Sequence, residues 1–227
     1  MSTLGPRLQR EAGALGRHDP FWPAQLTVAA AIAVSLDLPS RVTIRQVWLI
    51  PAIEGALFLG LVASTPWIPH RHHRNRRRVA LGLVGIVVAS NIVNLTLLVH
   101  ELLHRNIHGH VLLLAGVEIW ITNVLLFTVM YWELDRGGPI ARRDAELRTP
   151  DFLFPQMTEE RLGGMDWCPT YIDYLYTSFT NATAFSPTDT MPLSPVAKLL
   201  MLFQSGASLV TLGVVFARAI NILTTGH

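Results

Sequence analysis

Charge is what this chain lacks most. Only 15% of its 227 residues are Asp, Glu, Lys or Arg, while 50% are hydrophobic. That is too little charge to cover a water-facing surface, and it excludes an ordinary soluble globular domain. Lysine is almost missing: of 18 basic residues only Lys198 is not an arginine. The net charge of +2 is small and its basic excess lies mostly in the loops. This argues for orientation in a membrane and against nucleic acid as a partner. Cys168 stands alone, so no intrachain disulfide can form. No internal repeat, low-complexity tract or nucleotide-binding motif is present, and no cofactor is expected.

What is there is apolar length. A hydrocarbon layer about 30 Å thick needs roughly 20 apolar residues in a helix, because an unpaired backbone group inside it is costly. Val47 to Trp67, Val79 to His100 and Val111 to Trp132 meet that length, and Val196 to Leu223 follows. A weaker stretch, 24–38, is interrupted by Gln25, Thr27 and Ser35 and preceded by Arg7, Arg10 and Arg17. It reads as a first span, with a signal-like segment as the other possibility. The fold class expected is therefore an all-α integral membrane protein of about five transmembrane helices, multi-pass in the cell membrane.

The loops divide the chain further. Residues 70–78, between the spans 47–67 and 79–100, hold five arginines in His70-Arg-His-His-Arg-Asn-Arg-Arg-Arg78 and read as a cytoplasmic anchor. Residues 1–132 form an N-terminal set of spans. Residues 133–169 form a polar linker broken by Gly137-Gly138-Pro139, Pro150, Pro155 and Pro169. This linker would lie on the membrane surface, with Phe152-Leu153-Phe154 resting on the lipid interface. Residues 170–227 form a C-terminal module.

That module carries the sharpest signal. Tyr171-Ile-Asp-Tyr-Leu-Tyr-Thr-Ser-Phe-Thr-Asn-Ala-Thr183 is helical in character but too short to span, and it runs into Ala184-Phe185-Ser186-Pro187-Thr188-Asp189, then Pro192 and a full-length apolar helix. A short helix, a loop and a long helix describe a re-entrant hairpin, whose backbone must be surrounded by protein or water. Over roughly Tyr171 to Arg218 the chain resembles the pore module of the potassium-channel superfamily. In that alignment Ser178 to Thr183 corresponds to the end of the pore helix, Asp189 to the acidic residue after the filter, and Pro192 to the proline that opens the inner helix. Gly213 falls on a small-residue position of that helix. The resemblance implies a pore helix, a filter formed by Thr183, Ala184, Phe185, Ser186, Pro187, Thr188 and Asp189, and a homotetramer around one axis.

Where the family has TVGYG, this chain reads Ala184-Phe185-Ser186-Pro187-Thr188, with no glycine. Stacked carbonyl rings need φ values that glycine tolerates and that Ser186 and Thr188 resist, and Pro187 fixes its own φ. A wider, hydrated filter passing monovalent cations with weak potassium selectivity is expected, its mouth ringed by Asp189 carboxylates. Gln204 and Ser208, near the middle of the last span, are the candidates for lining the lumen. Ser186 to Asp189 also fits a plain turn and helix cap. The arginine distribution places the hairpin on the cytoplasmic side, the inverse of the potassium-channel arrangement and similar to that of ionotropic glutamate receptors.

A second motif competes. His100-Glu101-Leu102-Leu103-His104 matches H-E-x-x-H, in which two imidazoles one turn apart bind zinc and the carboxylate activates water. His108, His110 or Glu118 would supply a third ligand. The motif sits at the end of its span, and a His-rich interfacial loop is the plainer reading, so no enzyme and no metal are expected. An intramembrane metalloprotease and a non-conducting scaffold are the alternatives to the channel. Finally, Glu54, Asn91, Asn94, Glu118 and Asn123 lie inside spans and must turn toward protein or water.

Overall fold

The computed structural model describes residues 22–37, 82, 85–86, 88–89, 92–93, 95–97, 99–100, 109–139, 141–142, 149–162, 164, 167–183 and 189–225. The span 47–67, the basic run 70–78, Glu54, Asn91, Asn94, Glu101, His104, His108 and the loop Ala184 to Thr188 lie outside them.

The chain is mostly helical. Helix α1 covers Trp22–Asp37, including almost all of the weak span 24–38. Pro23 near its start costs nothing, since the first helical N–H groups lack partners anyway. Thr27 returns its hydroxyl to the Pro23 carbonyl at 2.8 Å, which hides a polar group that sits against neighbouring chain. The described positions between 82 and 100 are helical. Helix α2 covers Gly109–Leu134. It gives way to a 3-10 turn, Asp135–Gly137, whose Arg136, Gly137 and Gly138 take φ of 52°, 86° and 100°. Two glycines accept that left-handed backbone freely; Arg136 does so at a cost of about 1–2 kcal/mol. Its amide is held there by the Asp151 carboxylate at 3.0 Å.

After the turn a two-residue strand β1 (Phe152–Leu153) pairs antiparallel with β2 (Met191–Pro192), in the register Phe152 opposite Pro192 and Leu153 opposite Met191. The short helix α3 (Pro155–Thr158) follows β1. Helix α4 spans Tyr171–Thr183 and α5 spans Pro195–Thr225. Asp173 starts α4 by accepting both the Thr170 amide and the Thr170 hydroxyl at 2.7 Å, one half of a capping box with Asp in the acidic place.

Two stretches, Leu113–Gly137 and Pro195–Ala217, are long and apolar enough to cross a membrane. They contain the sequence-derived spans 111–132 and 196–223 in most of their length. α2 is the hub: α1, α4 and α5 all pack on it. The buried core follows it from Leu126 and Phe127 through Trp132 and continues into Phe152, Phe154, Tyr171 and Tyr174.

The aromatic patch of the linker turns inward, where the sequence reading had placed it on lipid. Phe152 lies 5.0 Å from the Tyr131 ring, and Phe154 lies 5.5 Å from Tyr174 and 5.6 Å from Trp167 between ring centres. Its physical cause is the left-handed turn, which folds the chain back over the end of α2. There the Asp135 carboxylate takes the Asp151 amide at 2.8 Å and the Phe152 amide at 3.4 Å.

Candidate functional site

α4 runs antiparallel to α2 along about half of its length. Tyr171 packs edge-on against Trp132 at 5.8 Å, the Ser178 hydroxyl donates to the Val124 carbonyl at 2.7 Å, and the Trp120 indole donates to the Ala182 carbonyl at 3.2 Å. α5 also descends antiparallel to α2, with Gln204 beside Tyr131 and Ser208 beside Asn123. The three helices meet along one polar seam.

Gln204 is the centre of that seam and is fully buried. Its Oε1 accepts from the Tyr131 hydroxyl at 2.5 Å and from the Asn181 amide at 2.7 Å. Its Nε2 donates to the Ser178 hydroxyl at 2.7 Å and the Ser178 carbonyl at 3.1 Å. Asn181 in turn donates to the Met201 carbonyl at 3.0 Å and accepts from the Ser205 hydroxyl at 2.9 Å. Asn123 donates to the Ser208 hydroxyl at 2.8 Å. Such a network is stable away from water because its amides and hydroxyls find partners in geometry that a neighbouring helix supplies.

The seam decides where Gln204 and Ser208 point. Both are fully enclosed between α5, α2 and α4, so within the chain neither faces open space. The open side of α5 carries instead Leu199, Leu202, Gly206, Leu209 and Gly213. Of the filter positions, Thr183 ends α4 with its hydroxyl returned to the Thr180 carbonyl at 2.7 Å, and Asp189 is exposed. Thr190, the next residue, is buried with its hydroxyl 3.1 Å from that of Thr177. Asn123, singled out as a costly intramembrane amide, turns to protein. His100 is helical and exposed. Among the described residues no group of three or more His, Cys, Asp or Glu is arranged to hold a metal ion.

A second polar cluster sits at the end of α2, and the sequence reading missed it. Asp135 is fully buried, and its Oδ2 accepts from the Tyr174 hydroxyl at 2.6 Å. Arg142, also buried, donates to the same Tyr174 oxygen at 2.9 Å and to the Trp132 carbonyl at 2.8 Å. Its guanidinium stands 3.9 Å from the Asp135 carboxylate and 5.0 Å above the Tyr174 ring. A buried charge pair of this kind holds only where hydrogen bonds satisfy the remaining atoms, as they do here. Both lie in the stretch 133–169, which the sequence marks only as a polar linker. Their spacing of seven residues across a Gly-Gly-Pro break carries no helical or strand periodicity that would reveal the pairing.

A search of family models, curated proteins and solved structures finds no match to the chain.

Proposed function

We propose that the chain is a multi-pass membrane protein whose residues 170–227 form a pore-loop module, assembled as a homotetramer and passing monovalent cations with weak potassium selectivity. The observation that carries this reading is the depth at which α4 stops. It begins beside Trp132 and ends level with Trp120. Twelve residues of α2 correspond to about 18 Å at the helical rise, so α4 reaches only part of the way through a layer about 30 Å thick. By Thr190 the chain is back beside Thr177, six residues up α4 from Thr183. A short helix that stops part-way, with the chain beside it again before a full-length helix, is what a re-entrant hairpin would require.

The polar seam supports this reading, because α4 could not sit at membrane depth without it. Its serine, threonine and asparagine side chains bond to α2, α5 or the preceding turn. In the assembled ring the Ser186 and Thr188 hydroxyls and the exposed Asp189 carboxylates would replace part of a cation's water shell and repel anions. With Gln204 and Ser208 committed to the seam, the lumen falls to the open side of α5.

The completeness of the seam within a single chain also favours a second reading, a scaffold that keeps the hairpin without conducting. Ion flux separates the two. Purified protein in liposomes under potassium, sodium and chloride gradients is expected to pass both cations and exclude chloride. Asp189→Asn should lower the cation flux or raise chloride leak, whereas folded protein silent under every gradient would leave the scaffold standing.

A further inference from the structure

A cleft lies between the helical positions 88 to 95, α2 and α5, and most of its wall is apolar: Val88, Ile92, Phe127 and Phe203 are among its lining. Two polar residues break that lining, Asn123 of α2 and Thr211 of α5. The space measures about 260 Å³ with its open mouth included, and its enclosed end has room for little more than one hydroxyl-sized group.

Asn123 is 4% exposed, yet only half of its amide is satisfied. Nδ2 donates to the Ser208 hydroxyl at 2.8 Å and to the Gln204 carbonyl at 3.4 Å. That carbonyl can only accept, so the nitrogen is the limb that faces α5. Oδ1, the other limb of the planar group, accepts no hydrogen bond among the described residues and is left to the cleft. Thr211 adds no donor, since its hydroxyl hydrogen goes to the Ala207 carbonyl at 2.8 Å. The polar end of the cleft therefore offers acceptors alone. A buried amide oxygen without a partner is costly, and a ligand that brings a donor removes the cost.

We propose that this cleft is a binding site for a neutral, apolar molecule carrying one hydroxyl, in the simplest case an aliphatic alcohol. The hydroxyl donates to Asn123 Oδ1, and the hydrocarbon body lies along Val88, Ile92 and Phe203 toward the mouth. The donor is neutral because uncharged oxygens in an apolar wall do not repay the dehydration of an ammonium group or a metal cation. A ketone or an ether of the same length brings only another acceptor and leaves Oδ1 unpaired, so the cleft discriminates against it. Asn123 also stands near the middle of the apolar stretch Leu113–Gly137, a depth that suits a ligand soluble in hydrocarbon. The site does not depend on the pore-loop reading.

The experiment uses the full chain in liposomes and an octanol with a photoactivatable diazirine in its carbon chain, with labelled residues read by mass spectrometry. Adducts are expected on Val88, Ile92 or Phe203. Unlabelled octanol should suppress them about fivefold better than octanone or dibutyl ether at equal concentration in the membrane. Asn123→Leu should erase that preference. Because this variant also loses the bond to Ser208, Ile92→Trp serves as the second: Ile92 is exposed, and a larger side chain there narrows the mouth while leaving the amide in place. It should abolish the adducts without changing the unfolding temperature. Equal competition by alcohol, ketone and ether would overturn the proposal and leave an apolar crevice. Absence of adducts from these residues in folded wild-type protein would overturn it as well, with a single water as the partner of Asn123. Both readouts hold whether or not the protein conducts ions.

Discussion

α2 and α5 are equally apolar, and the structure treats them in opposite ways. α2 buries much of its length, with Phe127 at 1% exposure, and keeps Leu114, Val117 and Ile121 open; α5 buries one stripe and leaves the rest open, with Leu202 at 71%. The difference shows that apolarity sets where a helix can lie but does not choose which side of it meets protein. On α5 that choice is made by polar residues. Gln204, Ser208 and Thr211 recur at helical spacing, all buried, while Leu209 and Val210 between them are exposed. Lipid is as good a solvent for leucine as another helix is, so only groups that need partners or close packing have a reason to turn inward.

The contrast can be broken most severely at the aromatic contact between the two helices. Phe127 on α2 stacks against Phe203 on α5 with ring centres 6.4 Å apart, yet Phe203 is 46% exposed. Phe127→Ala should cost about 3 kcal/mol of unfolding stability and Phe203→Ala about 1, because only the first opens an enclosed cavity. Reversible unfolding in mixed micelles would check this, and equal losses would remove the distinction between the two helices. Gln204→Leu comes next. It keeps the volume but strips partners from Tyr131, Asn181 and Ser178. A loss of about 2 kcal/mol is expected by the same measurement, since intramembrane hydrogen bonds are individually weak but here act together. Smallest is Leu202→Ala on the open side of α5, expected within about 0.5 kcal/mol for the single chain. If it lowers the oligomer's mass in mild detergent all the same, that side meets other copies; if the mass is unchanged, it meets lipid.

Much of this architecture was readable from residues alone. The apolar runs 111–132 and 196–223 carry their own length signal. The short helix at Tyr171 to Thr183 was legible because its apolar content stops too soon to span. The seam was half legible: Ser178 and Asn181, and Gln204 and Ser208, are each one turn apart and so share a face, but nothing in either pair names the other as its partner. The same gap sent Gln204 and Ser208 toward a lumen in the sequence reading, since a polar residue in a span suits water and a neighbouring helix equally well. Asp135, Arg142 and Asp151 were the least visible, because their meeting depends on a turn of three positive φ values and not on any repeat.

The sequence by itself determined that helices form, which stretches are long enough to cross a bilayer, and that 171–183 is not one of them. Those are local properties, set by side-chain apolarity and hydrogen bonding within one segment. Which face of α5 meets α2, that the linker's phenylalanines turn inward, and that the Asp135 carboxylate meets both the Asp151 amide and the Tyr174 hydroxyl were decided only by tertiary structure. Each depends on pairs of groups 16 to 85 residues apart, and the energy of such a pair exists only once both partners have been brought together.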